Sequence, residues 1–316
     1  MRIALIGPGC IAIDENDNIA GHGAVERLLV DYKKELKLLG HEVLLLNTPN
    51  KIEIIVKANA FQADLIHCHY DVFIDLVPFL KCPKIIFSSH YPWIDQPEKH
   101  AQDGYDQLVP LLTNNHNFYL MTTSKKDHEA MLRYGANPDR MFTIPYGVSI
   151  SDFTFNPEAQ LDRSICLGKL EQRKRQHLLK GIEKIDFVGK NEGWVEVPET
   201  YLGEWSAEQK FAHLTDYSNL VLLSSGENSS SLVVLEAFAA GLGVVITEKM
   251  ASELPDKPFI SWIPENKVND KDYLTRVIKD NRLGSSFMRN DIHKFAQQFS
   301  WKSRVAEYIK VVEALP

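Results

Sequence analysis

Short apolar runs alternate with amphipathic stretches along most of this chain, and that alternation constrains the fold more than any other feature. In the N-terminal half, strand patterns at 3–6, 43–46, 65–67, 84–87 and 117–121 are separated by helical patterns at 23–39, 52–61, 71–80, 105–112 and 125–134. Alternation of this kind gives a parallel sheet covered by helices on both faces. After 141–144 and the turn Pro145, Tyr146, Gly147, a helix-poor link containing Pro157 runs from Val148 to Leu161. A second alternating set follows at 164–167, 176–182, 185–188, 201–202, 207–216, 219–223, 232–240 and 243–247. The expected architecture is α/β, with one domain over 1–150 and a second over 151–299. A chain of 316 residues with 44% apolar content can fill two such cores.

Composition narrows the partners. A net charge of −7 argues against non-specific binding to nucleic acid. No run of about 18 apolar residues is present, so no transmembrane segment is expected. The start, MRIALIGPG, lacks a signal-peptide layout, and a cytoplasmic location is the expectation. Cys10, Cys68, Cys82 and Cys166 are too scattered for a metal motif and too few for a disulfide framework.

Two stretches carry chemistry. In Leu222–Val245, LLSSGENSSSLVVLEAFAAGLGVV, an apolar strand runs into a small polar loop, Ser224 to Ser231, and then into a helix with Glu236 one turn in. Unpaired backbone N–H groups at such a loop and helix start offer a phosphate site. Glu236 can then accept hydrogen bonds from ribose hydroxyls. In Cys166–Leu179, CLGKLEQRKRQHLL, a strand ends at Gly168, Lys169 follows, and Lys174 stands at the mouth of the next helix. Two cations at the carboxyl end of a strand can clamp a diphosphate, because ligands of open α/β sheets bind at that edge. An ordinary strand–turn–helix with a serine cap, beside a solvated basic run, accounts for the same residues. The basic run, however, opposes the helix dipole.

Together the two stretches resemble the retaining glycosyltransferases of family 4, two-domain enzymes of the GT-B fold. The family's G-R-L-x-x-x-K-G is matched by Gly168, Lys169, Leu170 and Lys174, with Lys for Arg and Arg175 for the last Gly. Its E-G-F-G-L-V-V-L-E-A is matched by Asn228, Ser229, Ser230, Ser231, Leu232, Val233, Val234, Leu235, Glu236 and Ala237. The second glutamate is present. Glu227 lies one position early, so either the loop carries an extra residue or Asn228 has taken the first glutamate's place. MFTIPYGVSISDF is similar to the family's I-P-N-G-V-D segment, and Gly21, His22, Gly23, Ala24, Val25 and Glu26 to its Gly-rich segment before the first helix. FSWKSRVAEYIKVVEAL is similar to the family's last helix, so 300–316 is expected to cross back onto the first domain. Its Val305, Tyr308, Ile309 and Val312 recur at helical spacing and need a partner surface.

The resemblance implies two Rossmann-like domains facing a cleft, and transfer of a sugar from a UDP-, GDP- or ADP-sugar to a hydroxyl on a glycan, lipid-linked or small-molecule acceptor. It implies retention at the anomeric carbon and no metal or other cofactor. Lys169 and Lys174 would neutralise the diphosphate, helped by Ser229, Ser230, Ser231 and Leu232; Gly21 and Gly23 could let backbone N–H groups approach donor phosphate or acceptor, or serve only as a flexible loop and helix cap. Glu236 would hold the ribose. His90, after IIFSS, matches a family histidine that contacts the donor sugar, with Glu227 or Asn228 as its companion.

Other readings remain. Gly7, Pro8, Gly9 and Ala12 fit G-x-G-x-x-A, which suggests an NAD-linked oxidoreductase or epimerase. Against it, the helical pattern begins only near Gly23, and the second strand ends in Asn47 rather than an acid. A non-catalytic nucleotide-sugar-binding paralogue is the third reading, because the first motif glutamate is displaced. His67 and His69 fall on one face of a strand, but no third ligand stands at a metal-site spacing. Tyr91 and Trp93 can stack on a sugar or anchor their own loop.

Overall fold

A computed structural model of the chain describes residues 1–20, 23–191, 196, 198–227, 231–250 and 254–316. It divides into two units, Met1–Pro145 with Trp301–Pro316, and Tyr146–Ser300.

The first unit holds β1 (Arg2–Gly7), α1 (Ala24–Leu38), β2 (Glu42–Asn47), α2 (Lys51–Phe61), β3 (Leu65–Cys68), β4 (Lys84–Ser88), α3 (Pro97–His100), α4 (Tyr105–Thr113), β5 (Tyr119–Thr122), α5 (Lys125–Arg133) and β6 (Met141–Thr143). Its strands form one sheet in the order β2-β1-β3-β4-β5-β6, and every pair is parallel. The strands are largely apolar because both faces are covered: β1 is buried from Ile3 to Ile6 and β3 throughout, His67 included. The segment Asp71–Phe79 is a 3₁₀ helix rather than the α-helix its pattern suggests. Pro78 inside it supplies no N–H, and a short apolar run does not distinguish three residues per turn from 3.6.

The second unit holds β7 (Ser164–Leu167), β8 (Ile185–Val188), α6 (Ala207–His213), β9 (Asn219–Leu222), α7 (Leu232–Ala239), β10 (Gly243–Thr247), β11 (Ile260–Ile263), α8 (Lys271–Ser286) and α9 (Arg289–Ala296). Its parallel sheet runs β11-β10-β9-β7-β8. No α-helix forms over 176–182. The 3₁₀ turn Gln176–Leu179 stands there, preceded by another at Gln172–Lys174 and separated from it by Arg175 in the left-handed region (φ 54°). The last helix, α10 (Trp301–Ala314), belongs to the first unit. Its Trp301, Val305, Tyr308, Ile309 and Val312 are buried, and Trp301 and Tyr308 pack edge-on against Tyr32 of α1. Lys84 Nζ donates to the carbonyls of Val312 (3.0 Å) and Leu315 (2.6 Å), placing a cation at the negative end of α10.

In each sheet the chain order reverses once, between β1 and β3 in the first unit and between β7 and β9 in the second. Such switch points open a crevice beyond the strands' carboxyl ends, because the two connections leave in opposite directions.

Candidate functional site

The second unit's switch point brings together the two stretches singled out by sequence. From β7 the chain passes into Gly168 (φ +134°), where a Cβ would stand 3.2 Å from Lys174 Nζ, so the ammonium lies over the bare glycine. The side chain of Gln176, buried at 1% exposure, donates to the Lys169 carbonyl at 2.8 Å and accepts from the Glu171 amide at 3.3 Å. That bracing turns the basic segment back toward β7. Lys169 itself is exposed, whereas the Lys174 side chain is only 12% exposed. Arg175 occupies a left-handed position that the related motif gives to glycine. Its two-point ion pair with Glu265, at 3.1 and 3.0 Å, offsets the cost.

From β9 the chain enters Ser224, Ser225, Gly226 and Glu227. Ser225 donates its amide to the Arg173 carbonyl at 2.9 Å, Ser224 Oγ donates to the Gly226 carbonyl at 2.9 Å, and Thr247 Oγ1 donates to the Ser224 carbonyl at 2.8 Å. The Arg173 guanidinium donates to the Gly226 carbonyl and to Glu171 Oε1. Glu227 Oε1 lies 2.8 Å from Arg173 Nη1 and 3.4 Å from Lys174 Nζ. Burial by itself raises the Glu227 carboxyl, but Lys174 and then Arg173 outweigh it and hold the group below its ordinary value. It is a carboxylate at neutral pH. Asn228, Ser229 and Ser230 lie outside the described residues.

Ser231 is the N-cap residue of α7, with no side-chain cap bond, and Leu232 is the helix's first residue. Glu236, one turn in, forms an ion pair with Lys210 of α6. Sequence reasoning missed both Arg173 and Lys210. Arg173 stands inside the quoted basic run, and the displaced Glu227 is its counter-charge. Lys210 left no such signal, since 26 residues separate it from Glu236.

In the first unit, His90 follows β4, and its Nε2 lies 3.3 Å from His69 Nδ1 with the two rings parallel. His69 packs against His67 with ring centroids 3.8 Å apart and the planes tilted by 34°, and His67 in turn stacks on Tyr308 of α10. His67 Nε2 pairs with Ser88 Oγ at 2.8 Å. Burial drives all three imidazoles down, His90 to about 4, and like-charge neighbours lower His67 and His69 further. The histidines are therefore neutral at pH 7. Among the described residues no group of three or more His, Cys, Asp or Glu is placed to hold a metal ion. Tyr91 stacks on Tyr105 at 3.9 Å and donates to Asp103, which makes it an anchor of its own loop.

The dinucleotide-like glycines are accounted for internally. A Cβ at Gly9 would stand 2.5 Å from the Thr48–Pro49 backbone, and the Gly9 amide donates to Asn47 Oδ1 at 2.9 Å. The Ile11 amide donates to buried Glu26 in the first turn of α1, so a carboxylate of the chain stands where the fingerprint would place a pyrophosphate. Gly23 is the N-cap residue of α1, and Gly21 lies outside the described residues.

No protein-family model matches the chain, and no curated protein matches it. Solved structures do. Anabaena HepE in complex with UDP-glucose superposes with a TM-score of 0.73 at 14% identity, covering 100% of both chains. Sucrose-phosphate synthase from Thermosynechococcus elongatus gives 0.73 at 14% identity over 100% of this chain and 99% of its own. WaaG, a glycosyltransferase involved in lipopolysaccharide biosynthesis, gives 0.67 at 14% identity over 99% of this chain and 100% of its own. With two parallel-sheet, Rossmann-like domains and this likeness over its whole length, the chain has the GT-B fold.

Proposed function

We propose that the chain is a glycosyltransferase that moves a sugar from a nucleotide-sugar to a hydroxyl acceptor. The observation that carries the reading is the convergence, at the β7/β9 switch point, of Gly168, Lys174 and the Ser224–Glu227 loop, with Glu236 one turn into α7. Lys174 and Lys169 are assigned to the diphosphate, where they neutralise charge as the leaving group departs. Glu236 is assigned to the ribose, and Lys210 holds its carboxylate in place. Glu227, or Asn228 in its place, is assigned to accept from the transferred sugar. Asn228, Ser229, Ser230 and Gly21 keep their assignments by resemblance alone, as does His90 on the donor sugar. Ser231 and Leu232 would add backbone amides at the α7 N-terminus. Retention, family 4 membership and a cytoplasmic setting complete the proposal on the same ground. The solved relatives add weight, since one of similar fold is held with UDP-glucose and another is named a glycosyltransferase.

A thermal-shift series with UDP-, GDP- and ADP-sugars and NAD(H) tests the reading. A ligand of the folded state at a hundred times its Kd adds about 2.7 kcal/mol of stability. One nucleotide-sugar should raise the melting temperature and then be turned over, in hydrolysis or transfer. Stabilisation by NAD(H) alone would overturn the proposal. Stabilisation without turnover of any nucleotide-sugar would favour a binding paralogue. Turnover should persist in EDTA, since side-chain cations are assigned to the leaving group.

A further inference from the structure

Glu171, Arg173, Lys174 and Glu227 form a compact set of two acids and two bases with no net charge. Glu227 Oε1 is shared between Arg173 Nη1 at 2.8 Å and Lys174 Nζ at 3.4 Å, and the Glu227 side chain is only 12% exposed. The shorter contact is to arginine. The same guanidinium reaches Glu171 and the Gly226 carbonyl, while the Arg173 backbone carbonyl receives the Ser225 amide. Arg173 is thus fixed at both ends of its side chain, whereas Lys174 presents one point charge over Gly168. An incoming diphosphate must take Lys174 away from Glu227. A carboxylate stripped of both cations in a buried setting would face a large desolvation penalty. Arg173 removes that difficulty, because Glu227 can release Lys174 and keep its shorter partner.

We propose that Arg173 is a positioning residue of the donor site: it keeps Glu227 as an internal counter-ion that yields Lys174 to diphosphate without itself becoming unpaired. The inference rests on the assignment of Lys174 to the donor diphosphate and deepens it. It makes Glu227 a brake on anion binding in the empty site and Arg173 the group that lets the brake release.

Inorganic pyrophosphate, which carries no base or sugar, is the probe, with affinity read by calorimetry on the full chain. Glu227→Gln should bind it about tenfold more tightly than the wild type. Arg173→Gln should bind it about tenfold more weakly, because Glu227 then has Lys174 as its remaining cation. Arg173→Gln combined with Glu227→Gln should return to within about threefold of Glu227→Gln alone. A residue that merely supports the loop would show no such rescue. Arg173→Lys should keep near-wild-type affinity, and Glu227→Asp, which preserves the charges if the Gln variant fails to fold, should fall between wild type and Glu227→Gln. If Arg173→Gln weakens binding equally with and without Glu227, Arg173 contacts the anion itself and the inference is wrong. If Glu227→Gln binds no more tightly, it is likewise wrong. Pyrophosphate binding that ignores Lys174→Ala in every background would instead defeat the diphosphate assignment, and this inference with it.

Discussion

Lys174 and Lys169 flank the same glycine, but their surroundings separate them. Lys174 is mostly buried and held by Glu227, whereas Lys169 is exposed. A charge-assisted contact to phosphate contributes about 1.5–3 kcal/mol, so Lys174→Ala should lower turnover on a nucleotide-sugar roughly 10- to 100-fold. Lys169→Ala should fall at the lower end, because solvent screens an exposed charge. Wild-type turnover for both variants would remove the phosphate site. The histidines give a pH prediction of definite sign. His67, His69 and His90 all titrate below 6.5 in the folded chain, His90 near 4, so below pH 6.5 the unfolded chain binds protons that the folded one refuses. Stability should therefore be full above pH 6.5 and fall as the pH drops toward 4, with a limiting slope of about 1.4 kcal/mol per pH unit for each histidine. Denaturant titrations across that range check it, and His90→Gln should flatten the slope by one histidine's share. Glu227 acts lower down. Its depressed carboxyl adds stability that is present above its unfolded value and lost as the pH falls through its folded one.

Among the elements, α10 carries the plainest energetic consequence. Ending the chain after Ser300 removes Trp301, Val305, Tyr308, Ile309 and Val312, all buried against the first unit. Full burial of each such side chain contributes about 1.5–3 kcal/mol. The sum is comparable with the 5–15 kcal/mol that hold a typical domain together, so the truncated chain should lose cooperative folding by circular dichroism or remain insoluble. A soluble truncation with native unfolding would show that the helix is dispensable. The strands were legible because β1, β3, β7 and β9 are buried on both faces and so are mostly apolar, with few polar residues such as His67, Ser164 and Asn219 among them. The segments 71–80 and 176–182 were not. Each has an apolar spacing that suits an α-helix, yet Pro78 in one and left-handed Arg175 before the other leave only 3₁₀ turns. Beyond Thr247, β11, α8 and α9 went unread, and the masking of helical periodicity by many charged residues in KDYLTRVIKDNRLGSS explains part of that.

On the scale of the whole molecule, strand order gives each unit one crevice at which a glycine-bearing loop could receive a phosphate. Both units have a switch point, and both place glycine beside it, so the sequence offered two phosphate sites of similar outward form. What separates them is the fate of the loop amides and charges, which no spacing reveals. In the first unit the Gly9 amide is spent on Asn47 and the Ile11 amide on Glu26, and a buried carboxylate stands in the first turn of α1. In the second unit Lys174, its side chain 12% exposed, lies over Gly168 and pairs with Glu227, the side chain that a diphosphate is proposed to replace. Binding a diphosphate should therefore slow amide hydrogen exchange at 166–179 and 222–245 and leave 7–12 unchanged, since local opening is suppressed where the ligand adds contacts. Exchange followed by mass spectrometry, with and without a saturating nucleotide-sugar, reads both regions in one experiment. Protection at 7–12 with NAD(H), and none at 166–179 with any nucleotide-sugar, would transfer the site to the first unit and with it the chemistry from sugar transfer to hydride transfer.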